Sequence, residues 1–204
     1  NLFKEEWIKY GTEPDYGSYF IAVDLAGFED VAKQAANAKK RLDESAICIV
    51  KVTDDGKWFV KEIKHGRWDI RTTAVNILMA IREYRPISIG IEKGALKNAV
   101  LPYLSDLMRK SNIHAHIADL THGNRKKTDR IIWALQGRFE HGRVILNSDE
   151  NWDDFTDQLL MFPALGVHDD LPDALSYIDQ LAVTSYFQED EEEEWQPVDV
   201  IAGV

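Results

Sequence analysis

Cys48 is the only cysteine in this 204-residue sequence. Without a second thiol there is no disulfide framework, and within the apolar run 46–50 Cys48 reads as a buried strand thiol. Long apolar runs are missing too. None approaches the roughly 20 residues that a membrane-crossing helix needs, so no membrane partner is expected. There is no glycine-rich phosphate loop of the P-loop type, no zinc-spaced set of cysteines and histidines, and no nucleophile-elbow serine. Basic residues are in short supply, 24 against 35 acidic, for a net charge of −11. Bulk charge of that sign argues against a nucleic-acid partner.

Resolved along the chain, the charge reads differently. Six of the acids form one run, Glu189–Glu194, which leaves a net of −5 for the rest. Six consecutive acids cannot enter a core, so 188–204 is expected to be a solvated, disordered tail. The turn 122–130 (HGNRKKTDR) is the reverse case. It sets Arg125, Lys126, Lys127 and Arg130 against the single acid Asp129, a local surface that suits a phosphate backbone.

What the sequence does have is acid at telling places. Asp24 follows the apolar run 19–23, and Glu92 follows 87–91. His168, Asp169, Asp170 and Asp173 crowd the start of a late helical pattern. An acid at the end of each of two strands, and a group of acids opening a helix, is what a two-metal phosphodiester-cleaving site needs. Two Mg²⁺ or Mn²⁺ ions about 3.5–4 Å apart require carboxylates from several elements. Blander roles compete at each position. Asp24 read alone is a turn acid. A carboxylate ending an apolar strand, as Glu92 does, is costly unless paired or metal-bound. Asp170 is a good N-cap residue with Asp173 in capping-box position, but capping accounts for neither Asp169 nor His168.

The pattern along the chain supplies a frame for these acids. Residues 1–15 read as an amphipathic lead-in, with Phe3, Trp7 and Tyr10 at helical spacing. Strands are expected at 18–25, 46–53 and 57–64, the last two joined by the hairpin signal Asp54-Asp55-Gly56. Further strands are expected at 87–92, 113–118 and 144–146. Helices are expected at 71–84, around 100–108 (with Pro102 blurring its start), at 128–140 capped by Thr128, at 152–160, and from 171 to 182. Three strands including a hairpin, followed by strand–helix alternation, describe an α/β mixed sheet with helices on both faces, as in the ribonuclease H-like fold.

Four segments carry a family resemblance: Ala22-Val23-Asp24-Leu25-Ala26-Gly27, Ile89-Gly90-Ile91-Glu92, the stretch from Lys127-Thr128-Asp129-Arg130 to Gly142, and His168-Asp169-Asp170-Leu171-Pro172-Asp173-Ala174-Leu175. In this order the sequence resembles the nuclease domain of the large terminase subunit of tailed bacteriophages. The resemblance implies a ribonuclease H-like fold over 16–187 and metal-dependent cleavage of double-stranded DNA concatemers during viral genome packaging, in the cytoplasm of the infected host cell. It implies Asp24, Glu92 and one acid of 168–173, with Asp170 favoured, as catalytic metal ligands, and Asp169 as co-ligand or alternative; the three-residue spacing of Asp170 and Asp173 lets them share a cation or the shell around it. His168 would act as a hydrogen-bonding residue behind the ligands. The basic turn, Arg125, Lys126, Lys127 and Arg130, would contact the DNA backbone. An N-terminal ATPase domain, a portal and a small terminase subunit are the implied partners, with 1–15 either the linker from the ATPase domain or an N-terminal helix packed on the core. A start at Asn1 without the phosphate loop fits an excised domain. Two alternatives stay open: another ribonuclease H-like nuclease of resolvase or transposase type, or a catalytically silent domain that docks a packaging partner.

Overall fold

In the computed structural model, residues 2–27, 44–121, 123–164, 166 and 168–182 are described; the acidic run Glu189–Glu194 lies outside them. Seven strands form one sheet in the order β1-β7-β4-β3-β2-β5-β6. They are β1 (Lys9–Gly11), β2 (Ser18–Asp24), β3 (Ser45–Val52), β4 (Trp58–Gly66), β5 (Ser88–Glu92), β6 (Ile117–Leu120) and β7 (Val144–Asn147). The helices are α1 (Ile70–Tyr84), α2 (Ala95–Ser111), α3 (Lys127–Glu140), α4 (Asp153–Met161) and α5 (Asp170–Ser176); residues 178–182 are again helical. Strands β2, β3 and β4 run antiparallel to their neighbours within that trio, while β2–β5, β5–β6, β4–β7 and β1–β7 are parallel. The expected mixed sheet is the observed one.

Strand periodicity places two cores on the two sheet faces. Ile21, Val23, Ile47, Ile49, Ile89 and Ile91 point to one face, where they meet Ile77 and Ile81 of α1 and Val100 and Leu104 of α2. Phe20, Ala22, Cys48 and Val50 point to the other, where α3, α4 and α5 lie with Ile131, Phe155 and Leu175 inward. In a strand, successive side chains alternate faces. Asp24 therefore shares the face of Phe20 and Ala22, under α3 and α5.

The hairpin forms as expected, with Gly56 at φ 79° and its N–H bonded to the Thr53 carbonyl at 2.8 Å. Three elements differ from the sequence reading. The lead-in is a 3₁₀ turn (Glu5–Trp7) followed by the edge strand β1, which pairs parallel with β7. Phe3 is 1% exposed and meets Phe139 edge-on at 5.9 Å. Phe3 and Trp7 pack on the core, whereas Tyr10 lies exposed in β1, so the three do not form one helical face. Strand β6 begins at Ile117, not Ile113, because its partner β5 offers only five residues, starting with the pair Ile89–Ile117. Thr128 does not cap α3: Lys126 holds that position without a side-chain cap, and Thr128 lies inside the first turn.

Candidate active site

Parallel pairing sets the first two acids side by side. Val23 is in register with Ile91, so the next residues, Asp24 and Glu92, leave adjacent strands at the same sheet edge. Gly90 shares the face of Ala22 and makes room for the last helix. A Cβ at Gly90 would stand 2.5 Å from the Leu120 side chain and 2.9 Å from that of Leu181.

The start of α5 brings in the other acids. Its N-terminus is not capped by Asp170. The Leu171 N–H donates to Gln158 Oε1 of α4 at 3.0 Å, and the Asp173 N–H donates to the Asp169 carbonyl at 2.9 Å. With these donors satisfied, the Asp170 carboxylate turns elsewhere: Oδ2 accepts from the Glu44 backbone N–H at 3.2 Å and stands 3.5 Å from His168 Nδ1. Pro172 fits in a first turn because no N–H is needed there. The capping role that competed for Asp170 in the sequence is therefore not the one its side chain plays.

Asp173 is 2% exposed, and both of its oxygens are engaged by cations. Arg130 Nη2 donates to Oδ1, and Lys127 Nζ lies 3.1 Å from Oδ2. Lys127 also reaches Asp169 Oδ1 at 2.7 Å. Burial alone would lower the Lys127 pKa, but the Asp173 and Asp169 carboxylates outweigh it and hold the ammonium above its ordinary range. The Arg130 guanidinium also stacks 4.3 Å over the Tyr177 ring. Burial, and then the Asp173 charge, push the Tyr177 hydroxyl up; Glu92 and Asp24 add to the push, and Arg130 opposes it. Lys127 and Arg130, expected on a DNA-facing turn, are thus turned inward onto the acids, and Arg130 is only 8% exposed. Arg125 and Lys126 are exposed.

Asp24 registers the whole cluster. Its carboxyl is pushed up to about 8, first by burial and then by Asp173, against the pull of Lys127, with Glu92 and Asp170 adding to the push. Such an acid resists ionising until positive charge arrives. Among the described residues no three His, Cys, Asp or Glu side chains stand together at metal-ligand spacing. The donor chemistry nonetheless fits divalent cations: Asp24, Glu92 and Asp170 offer hard carboxylate oxygens, and the charges of Glu92 and Asp170 are felt at Asp24.

The sequence reading missed several groups beside Asp170. His65 Nδ1 lies 2.7 Å from Glu44 Oε2, and Asp154 Oδ2 is 3.8 Å from His65 Nε2. With Arg67 and His168 they line an open recess of about 270 Å³. Only the register Ala46–His65 across the hairpin brings His65 there; nothing local in the sequence marks it.

A family model described as the terminase RNaseH-like domain matches residues 22–179. The chain belongs to that family. Asp24, Glu92, Lys127 and the 168–173 acids all lie inside the matched span. The large terminase nuclease of thermophilic phage G20c is similar in structure. Its zinc-bound form has a TM-score of 0.57 at 13% identity, covering 84% of this chain and 92% of that one. Its form without a named metal gives 0.54 at 12% identity over the same shares. Its magnesium-bound form gives 0.53 at 13% identity, over 82% of each chain. These likenesses establish the ribonuclease H-like fold shared with terminase nucleases. A search of curated protein sequences returns no match.

Proposed function

We propose that this terminase RNaseH-like domain is a metal-dependent endonuclease that cleaves double-stranded DNA concatemers during viral genome packaging. What carries the reading is the register that ends adjacent strands with Asp24 and Glu92 at one sheet edge, together with the burial and the charges of Asp173, Glu92 and Asp170 that push the Asp24 carboxyl up to about 8. Membership of the terminase RNaseH-like domain family, and the likeness in fold to a large terminase nuclease solved with magnesium and with zinc, support it.

Two divalent ions, Mg²⁺ or Mn²⁺, bound at this edge would supply Lewis-acid activation of a water and charge neutralisation at the leaving 3′-oxygen. Asp24, Glu92 and Asp170 would be the residues that hold them. The chain's own residues do the rest. Arg130 and Lys127 neutralise Asp173, so that acid acts as a brace rather than a ligand. Lys127 ties Asp169 to Asp173 and sets its charge beside Asp24. The Glu44 N–H and His168 orient the Asp170 carboxylate. Arg125 and Lys126, exposed on the turn before α3, serve as phosphate contacts. In the full assembly an ATPase domain, a portal and a small terminase subunit would act with this domain.

Incubation with unbranched supercoiled plasmid tests the reading. Nicked and linear products are expected with Mg²⁺ or Mn²⁺ and none with a chelator. A plasmid left intact under every cation condition would overturn the nuclease assignment, and cutting confined to branched DNA would favour a resolvase.

A further inference from the structure

Trp133 is 63% exposed, the most exposed of the five described tryptophans. Its helix neighbours Ile131, Ala134 and Leu135 are buried in the core; Trp133 points the other way. A single exposed apolar side chain is ordinary. This one has a partner and a cavity. The Arg125 guanidinium stacks 4.4 Å over its ring. Beside the pair opens a recess of about 220 Å³ whose walls include Asn124, Gln180 and Ser176, with Arg130 among the groups lining it. A water needs only about 10–15 Å³ of such space, so the recess is sized for something larger, such as a flat ring. The site is furnished for a nucleobase: an aromatic face, a stacked guanidinium, and amides with donors and acceptors for base edges. One wall is fixed, because Gln180 Oε1 accepts from the Thr121 N–H at 3.0 Å and its Nε2 donates to the Thr121 carbonyl at 2.8 Å. The nearby exposed cations, Arg125 and Lys126, favour a polyanion over an apolar protein segment.

The recess also adjoins the acids. Arg130 lines it and pairs with Asp173, and the Ser176 hydroxyl donates to the Asp173 carbonyl at 2.6 Å. A base seated against Trp133 would thus stand one ion pair away from the carboxylate cluster. Paired bases inside a duplex do not offer a free face to a side chain on a helix; an unstacked or single-stranded base does.

We propose that Trp133, with Arg125, is a stacking platform for an unpaired DNA base next to the cleaved phosphodiester, so that the enzyme prefers DNA with locally opened or single-stranded character. This rests on the nuclease reading above and specifies its substrate. The platform holds a base by its π-face and is tolerant of sequence, while the Asn124 amide supplies an edge contact and Gln180, tied to Thr121, holds the wall.

The test is fluorescence anisotropy with a short labelled oligothymidylate and with a duplex of equal length. It uses a chelator so that nothing is cut, and compares the wild type, Trp133→Ala and Trp133→Tyr. Removing one base–aromatic stack is expected to weaken single-strand binding roughly 5- to 150-fold. Duplex binding should change far less, and Trp133→Tyr should restore most of the single-strand affinity. Because Trp133 is exposed, Trp133→Ala should keep the wild-type circular dichroism spectrum and melting temperature. Unchanged single-strand affinity in Trp133→Ala would overturn the proposal, and so would a wild type that binds no single strand. A protein occupant for the recess would give the first of these results. Plasmid nicking by the wild type is scored separately, so the platform can fail while the nuclease reading stands, and the nuclease reading can fail by its own measurement.

Discussion

Among the individual residues, Asp24 and Arg130 show best how a side chain's surroundings decide its role. Asp24 ordinarily titrates near 3.8 but is held up to about 8 in the fold. A raised acid favours the protonated folded state, so the metal-free protein loses stability as pH climbs from about 4 to about 8 and levels off above. Asp24→Asn removes that loss. In chelator its melting temperature is expected to exceed the wild type's by a margin that grows between about pH 5 and about pH 8. A margin independent of pH would refute the assignment. Arg130 makes the opposite point. The sequence put it in a basic, DNA-facing turn, but in a helix the i, i+4 spacing aligns Arg130 with the buried Ala134, while Arg125 and Lys126 precede the first turn. Side-chain direction, not composition, separates them. Arg130→Ala leaves Asp173 buried with one partner fewer, and about 3–5 kcal/mol of stability should be lost, read by denaturant unfolding. A variant as stable as the wild type, but weak in DNA binding, would return Arg130 to the DNA face.

Elements were legible where one physical rule dominates. The Asp54-Asp55-Gly56 hairpin follows from turn chemistry, and β5 from a short apolar run ended by Glu92. The α2 helix spans Pro102 despite the break in its pattern. What the sequence could not show is set by partners. Strand β1 exists because β7 offers it an edge, and β6 is trimmed to the length of β5. The start of α5 looked like a capping box until Gln158, from another helix, took the backbone donor. Gly90 belongs to this level as well. It lies on the sheet face that Leu120 and Leu181 cover, and Gly90→Ala would force a methyl to 2.5 Å from Leu120. Overpacking of this kind costs about 1–3 kcal/mol. Thermal denaturation should show it, and the shifted last helix should lower nicking as well. An unperturbed melting temperature would mean that the helix yields freely and does not fix the acids in place.

For the whole molecule, a net charge of −11 stands beside a proposed DNA substrate. The two are compatible because cations are used locally. Lys127 and Arg130 balance acids of the site, and Arg125 and Lys126 remain on the surface beside it. Counterion release then ties affinity to those surface cations. Replacing Lys126 with alanine should lower the slope of log affinity against log salt by about 1, evenly across DNA sequences. A slope equal to the wild type's would place the DNA path elsewhere. The fold class and the three strand- or helix-end acids were readable from the sequence because a sheet edge and a helix start leave local marks. The bracing of Asp173, the recess around His65 and the Trp133 face were not, because each joins residues distant in sequence across α3, α5 or the hairpin.

The central claim is that Asp24, Glu92 and Asp170 act together as the cation-holding edge of a nuclease. The most direct measurement is supercoiled-plasmid nicking with Mg²⁺ or Mn²⁺ by the wild type, Asp24→Asn and Glu92→Gln, each shown to be folded by circular dichroism. Losing a carboxylate that holds a catalytic ion should slow nicking roughly a hundredfold or more in each variant. Near wild-type nicking by either folded variant would contradict the claim.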